Sequence, residues 1–210
     1  LANVYYSEGL RTRTEPPRIL ADSLFYLTEQ TAEELQDTAL WINSLLSHSL
    51  IPDGRKQYPE LERQLLLALR LSESVHDTGH EAVAAMNLSM MYGELGEKEK
   101  SISYVRRNLD LRKGLIPDYM HYLVWGNAYQ RIGEIDSAAY YLAKMLLAGG
   151  NSVKIIERDP ALCQELCELL PKAVIIQGDG AQQELLLEES LPEQDAFVAL
   201  TGMDEENILI

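Results

Sequence analysis

Three positions pair a carboxylate or hydroxyl with the end of an expected strand, a setting in which small-molecule recognition is possible. Glu157 closes "VKIIE" (153–157), Asp179 sits inside "GDG" (178–180), and Thr201 and Gly202 follow "AFVAL" (196–200). A carboxylate at a strand end, just before a helix, can accept hydrogen bonds from both ribose hydroxyls of an adenine dinucleotide. An ordinary exposed strand-end acid looks the same, so spacing alone leaves both readings of Glu157 open. His76 and His80 in "HDTGH" have the i, i+4 separation of some helical metal ligands. Thr78 and Gly79 place a helix boundary between them and no third ligand is near, so no metal is expected. Cys163 and Cys167 stand four apart on an expected helix; they form neither a CxxC motif nor a disulfide framework and read as reduced cysteines. No GxSxG elbow, Walker loop or HExxH motif occurs in the 210 residues. No His, Lys or Tyr stands beside the strand ends to handle a proton, and no substrate domain is visible, so no catalytic residue is expected and the chain is read as a non-enzyme.

The elements around these positions follow from composition and periodicity. The hydrophobic content of 46% and formal net charge of −15 describe a globular, acidic chain. Residues 151–210 hold 3 Lys and Arg against 13 Asp and Glu, and residues 1–150 hold 15 against 20. Two-thirds of the excess charge therefore lies in the last 60 residues, which marks a candidate boundary near residue 150. An acidic chain without a basic patch argues against nucleic acid and against docking to anionic lipid. The longest apolar runs, such as "LLLAL" (65–69), are far below the ~18 residues of a membrane span. A cytoplasmic protein is expected. No signal peptide is visible, and the chain opens at Leu1 rather than Met, so a missing N-terminus is one expectation.

Residues 1–21 give no clear element, and residues 22–148 read as helices near 22–30, 32–48, 59–76, 80–95, 98–112, 118–132 and 135–148. Thr31 with Glu34 and Thr78 with Glu81 fit the capping box, Pro59 suits a first helical position, and Gly96 and Gly133 suit helix ends. The segments 85–109 and 122–146 superimpose on those glycines. Leu88 then aligns with Trp125, Tyr92 with Tyr129, Ser101 with Ala138 and Val105 with Leu142. This large–small–aromatic, Gly, small–large pattern resembles the tetratricopeptide (TPR) repeat, with a period of 37 against the usual ~34. The resemblance implies a mostly α chain in which antiparallel helix pairs stack into a solenoid whose concave face takes a peptide or protein partner. Asn87 and Asn127 are the candidates to face that groove and hold a peptide backbone; simple packing of helices on one another is the plainer reading.

After Gly150 short apolar strands, 153–157, 173–177 and 196–200, alternate with helices over 160–170 and 181–190, the pattern of a parallel α/β sheet. The stretches "VKIIERDP", "VIIQGDGAQQELLLEE" and "DAFVALTGMDEENIL" resemble the RCK (KTN) nucleotide-binding domain of Trk-type potassium-uptake regulatory subunits. The resemblance implies an NAD(H) site in which Glu157 holds the adenosine ribose, Asp179 lies near the adenosine, and Thr201 and Gly202 approach the centre of the cofactor. It also implies a membrane potassium-transporter partner, with no direct membrane span in this chain.

The same family leads one to expect an earlier strand and a glycine-rich loop seating the pyrophosphate. Upstream of Ser152 stands repeat sequence instead, and the two patterns overlap at "AAYYLA" (138–143). The expected C-terminal unit, 149–210, is therefore a partial Rossmann-like fold of three parallel strands, with the first strand and the Gly-rich loop missing and binding weak or absent. Either a genuine fusion or a join of two partial genes accounts for this; the join is the favoured expectation. The function expected first is an NAD(H)-sensing regulator of potassium uptake, and the alternative is a protein-interaction scaffold with an inert C-terminal segment.

Overall fold

The protein is described here by a computed structural model covering residues 15–49 and 58–199. The chain divides into two compact units, Leu1–Leu115 and Ile116–Ile210. The described part of the first holds α1 (Glu15–Glu34), α2 (Thr38–Ser49), α3 (Tyr58–Ser74), α4 (Thr78–Glu94) and α5 (Lys98–Leu111). The second holds α6 (Asp118–Arg131), α7 (Ile135–Ala148), β1 (Lys154–Glu157), α8 (Pro160–Leu169), β2 (Val174–Gln177), α9 (Gln183–Glu188) and a 3-10 turn, Leu191–Glu193. The chain is thus mostly α, with a small parallel α/β unit at its C-terminal end.

Consecutive helices fold back through one recurring turn. A residue with positive φ follows the helix: Gln36 (55°), His76 (56°), Gly96 (73°) and Gly133 (75°). The next N–H reaches back five residues in each case, from Asp37 to Ala32, Asp77 to Ser72, Glu97 to Tyr92 and Glu134 to Tyr129, all at 2.9 Å. This is a Schellman closure, which satisfies carbonyls left over at a helix end. Two of the four left-handed positions carry side chains instead of glycine; the sequence marks the helix ends at Gly96, at Gly133 and near residues 76–80, but conceals the turn at 36 and the capping residue at 77.

That concealment explains two corrections. The break expected at Thr31 is absent: α1 runs through it, and Thr31 Oγ1 donates to the Leu27 carbonyl at 2.8 Å within the helix. The acceptor at the start of α2 is Asp37, which takes the Leu40 N–H at 3.0 Å. Likewise Asp77, not Thr78, caps α4 by accepting the His80 N–H at 3.0 Å. Asp77 directly precedes the Thr78 that fitted the capping box, and Asp37 directly precedes Thr38; in both places the carboxylate is the stronger acceptor for the free amides. Residues 15–21, expected to be irregular, are helical; prolines at 16 and 17 are tolerated because first-turn amides need no helical partner.

In the first unit α2, α3 and α4 share a core of Ile42, Leu45, Leu46, Leu65, Ala68, Leu69, Ala84, Leu88, Met91 and Tyr92. The Tyr92 hydroxyl donates to Glu62, tying α4 to α3. α5 crosses α4 where Ser101 Oγ donates to the Ser89 carbonyl at 2.9 Å, and Tyr92 stacks on Tyr104 with centroids 5.6 Å apart. Thirty-seven residues later the arrangement recurs between α6 and α7. Gly126 and Ala138 stand at the crossing, and Tyr129 stacks on Tyr141 at 5.5 Å. Small residues let the axes approach, and the paired rings fill the wedge beside them.

The sheet contains two strands among the described residues, β1 and β2, parallel, with Lys154 opposite Val174 and Glu157 opposite Gln177. The third expected strand, 196–200, is not formed over 196–199, where Phe197 and Val198 are 45% and 55% exposed. In the parallel order of such folds this segment pairs with the first strand. With that neighbour lacking, its amides have no ladder to join. Helix α7 closes one face of the sheet: Tyr140, Ala143 and Leu147 pack with Val153, Ile155, Leu162, Leu166, Leu170 and Ile175.

Two substitutions test this packing. A Cβ at Gly126 would lie 3.7 Å from the nearest atoms of α7, ordinary contact. Gly126→Ala is therefore expected to raise stability by about 1 kcal/mol through helix propensity, read as a higher Tm. Asp77→Ala removes the α4 cap and is expected to cost about 1 kcal/mol in a urea titration, with Asp77→Asn recovering most of it.

Candidate functional site

The strand ends of the second unit bring Glu157 and Asp179 to one edge of the sheet. Apolar β1 carries the chain to Glu157, and Asp159 then starts α8: its Oδ1 accepts the Ala161 N–H at 2.7 Å and the Leu162 N–H at 3.4 Å, with Pro160 as first helical residue. On the next strand the Gly178 N–H donates to the Glu157 carbonyl at 2.9 Å, locking the exit of β2 beside the exit of β1. Asp179 then turns the chain, its Oδ1 accepting the Ala181 N–H at 3.0 Å and its carbonyl the Gln182 N–H at 3.0 Å. A Cβ at Gly178 would stand 2.4 Å from Leu185 Cδ2, so glycine allows Leu185 of α9 to sit against the strand exit.

Glu157 is half-buried and its Oε1 accepts the Asp159 N–H at 2.7 Å. A carboxylate offers about four lone-pair sites, so the group is oriented by this bond while retaining capacity for hydroxyl donors. Beneath it, the Cys163 thiol donates to the Glu157 carbonyl at 3.3 Å. Burial pushes that thiol's pKa up, and the Glu157 carboxylate adds to the effect. Cys163 is therefore a protonated donor supporting the strand end, and not a nucleophile. Its role was not legible in the sequence, where only the i, i+4 spacing to Cys167 stood out.

The other expected site residues are dispersed. Thr201 and Gly202 lie outside the described residues. Asn87 sits on α4 and donates from Nδ2 to Ser49 Oγ of α2 at 3.3 Å. Asn127 is exposed on α6 and belongs to the other compact unit. His76 occupies the exposed turn before α4, while His80 packs its Nδ1 against Asp77 Oδ2 at 2.7 Å and its Nε2 against Asn43 Oδ1 at 3.1 Å. Among the described residues no cluster of His, Cys, Asp and Glu is arranged to hold a metal ion, and no helix is long and apolar enough to cross a membrane.

With this geometry in place, comparison with known proteins identifies the C-terminal segment. Residues 135–210 match the TrkA-N domain, and the match opens on the first residue of α7. The Trk system potassium uptake protein TrkA of Haemophilus influenzae is 38% identical over a stretch covering 33% of this chain and 18% of its own length. A TrkA homolog 1 from Methanosarcina mazei is 40% identical, covering 33% of this chain and 17% of its own. A TrkA homolog from Pyrococcus abyssi is 38% identical, covering 32% and 30%. This chain thus spans less than a third of the length of these relatives. No solved structure matches it.

Proposed function

We propose that residues 135–210 are the ribose-facing part of an NAD(H)-sensing domain from a Trk-type potassium-uptake regulator, and that the chain is a non-catalytic cytoplasmic component of such a system. The observation that carries this reading is the TrkA-N match falling on a parallel strand pair whose exits hold Glu157 and Asp179 side by side. In that role Glu157 accepts the ribose hydroxyls, Asp179 stands near the adenosine, and Thr201 with Gly202 approaches the middle of the cofactor. Regulation would work by differential binding of the oxidised and reduced forms, biasing a transporter subunit at the inner face of the membrane.

The pyrophosphate half of the site is poorly provided for. The helix that opens the match, α7, is entered from the turn after α6, carries Glu134 at its N-cap and has Asp136 in its first turn. Negative groups at a helix N-terminus oppose the dipole's attraction for phosphate. Binding is accordingly weak or absent. Calorimetric titration of the full chain with NADH and NAD⁺ should show no saturation below roughly millimolar concentrations, on the order of 4 kcal/mol of binding free energy at most. A micromolar dissociation constant would contradict this expectation, and a residual affinity unchanged in Glu157→Gln would contradict the ribose role.

A second reading, a protein-interaction scaffold resembling TPR repeats, is favoured by the recurrence of the tyrosine stack and small-residue crossing at a 37-residue interval. Asn87 would present its amide oxygen to a peptide N–H while Ser49 holds its nitrogen. Screening the full chain against a displayed peptide library tests this: Asn87→Ala should weaken any selected peptide about tenfold, the worth of one buried hydrogen bond. Equal binding by the variant would remove Asn87 from the groove.

A further inference from the structure

The first unit contains one buried ionisable cluster that neither reading uses. His48, at the end of α2, is 6% exposed, and Glu29 on α1 is 7% exposed. His48 Nδ1 lies 2.7 Å from Glu29 Oε1, and Nε2 lies 2.8 Å from Asp22 Oδ1. Carboxylates accept and do not donate, while a neutral imidazole carries a single N–H. Both contacts can therefore be hydrogen bonds to carboxylates only when the ring is the doubly protonated imidazolium. The ring also stacks on Phe25 of α1 at 5.5 Å, and Gln64 Nε2 of α3 stands 3.3 Å from Nδ1, farther than Glu29 Oε1 and without an acceptor there when the ring is protonated.

Helix α1 depends on this contact. It packs chiefly on α2, through Ala21, Phe25 and Ala32, all buried, and through Ser44 Oγ donating to the Phe25 carbonyl at 3.3 Å. The ionic bridge to His48 joins these apolar contacts in holding the helix. Removal of the His48 proton leaves two carboxylates around a neutral ring that can satisfy only one of them, with Glu29 shut away from water. That is the arrangement in which a buried charge loses its partner.

We propose that His48 is a proton-dependent latch for α1: the protonated ring clasps Asp22 and Glu29 and docks the helix on α2, and loss of the proton releases it, uncovering Phe25, Ala21 and Ala32. Among the described residues, α3 brings a charged pair near the cluster, where Arg63 grips Glu60 at 2.6 and 2.9 Å. That pair is mutually neutralising, and its salt bridge lowers the Glu60 pKa and raises that of Arg63. From α4 the uncharged Asn87 meets this end of α2, at Ser49.

The direction of the effect follows from the histidine. Burial acts to lower its pKa, but the hydrogen bonds it donates to Glu29 and Asp22, with their charges, outweigh burial and hold it above the ordinary 6.5. A group whose folded pKa is raised stabilises the docked state fully below its unfolded pKa and loses that contribution as pH rises through the folded value. The latch thus holds below the ordinary 6.5 and weakens as pH rises past that value.

Hydrogen exchange of the full chain from pH 6 to 9, referenced to the amides of α5, tests the latch. The α1 amides should lose protection with rising pH relative to α5, by about tenfold for each unit of elevated pKa. Asp22→Asn, on the exposed side of the ring, keeps the helix but removes one carboxylate, and should shift the midpoint down by about one pH unit. His48→Gln should leave α1 weakly protected at every pH. Protection in α1 that parallels α5 across the whole range, or a midpoint unmoved in Asp22→Asn, would overturn the proposal.

Discussion

Helix α7 must bury two opposite faces at once, and the second unit depends on that constraint. Ala138, Tyr141 and Leu142 line the side turned to α6, where Gly126 allows the approach and Tyr129 and Trp125 meet Tyr141. Tyr140, Ala143 and Leu147 line the other side, against β1, α8 and β2. At 100° per residue these two sets fall on opposite sides of the cylinder, so one amphipathic pattern does not compete with the other. A helix apolar all round is stable only when covered all round, and here the repeat-like partner covers one half and the sheet the other. The overlap at 138–143 is thus physically workable: the same residues can end a helical hairpin and open an α/β unit.

The price of that arrangement appears at the strand ends. A helix entered from another helix brings no strand and no glycine loop ahead of it, so its N-terminus carries Glu134 and Asp136 where a phosphate site needs bare amides. Among the described residues the sheet has two strands, and the segment at 196–199 stays outside it. What survives intact is local. Asp159 caps α8, Gly178 ties the two strand exits together, and Cys163 supports Glu157 from below. Each of these contacts spans only the adjoining β–α–β stretch, so none requires the missing first strand.

Much of this was legible in the sequence because it is set by short-range rules. Helices α4 to α8 lie within two residues of their expected bounds, since apolar period, Pro160 at a helix start and glycines at φ near 75° act locally. The 37-residue recurrence was visible as aligned residue types, and the stacked pairs Tyr92–Tyr104 and Tyr129–Tyr141 give it a physical content. The start of α1 and the turn at Gln36 were not legible: a side chain in the left-handed region leaves no signature, and Thr31 mimics a cap that the buried Ala32 overrides by keeping the helix continuous. Glu157 and Asp179 were legible as strand-end acids because a strand's end is marked by the residues that follow it.

The sequence by itself determined most of the element types, the acidic strand ends and the repeat sequence standing before β1, because each depends on neighbours along the chain. Only the tertiary structure decided which acids have which partners. His48 became a buried ring bridged between two carboxylates because α1 folds back to place Asp22 and Glu29, 26 and 19 residues away, on its two nitrogens. The third strand failed to form because a strand exists only when a neighbour supplies its hydrogen bonds. Charge pairing and strand pairing are both long-range, and no window of residue types encodes them.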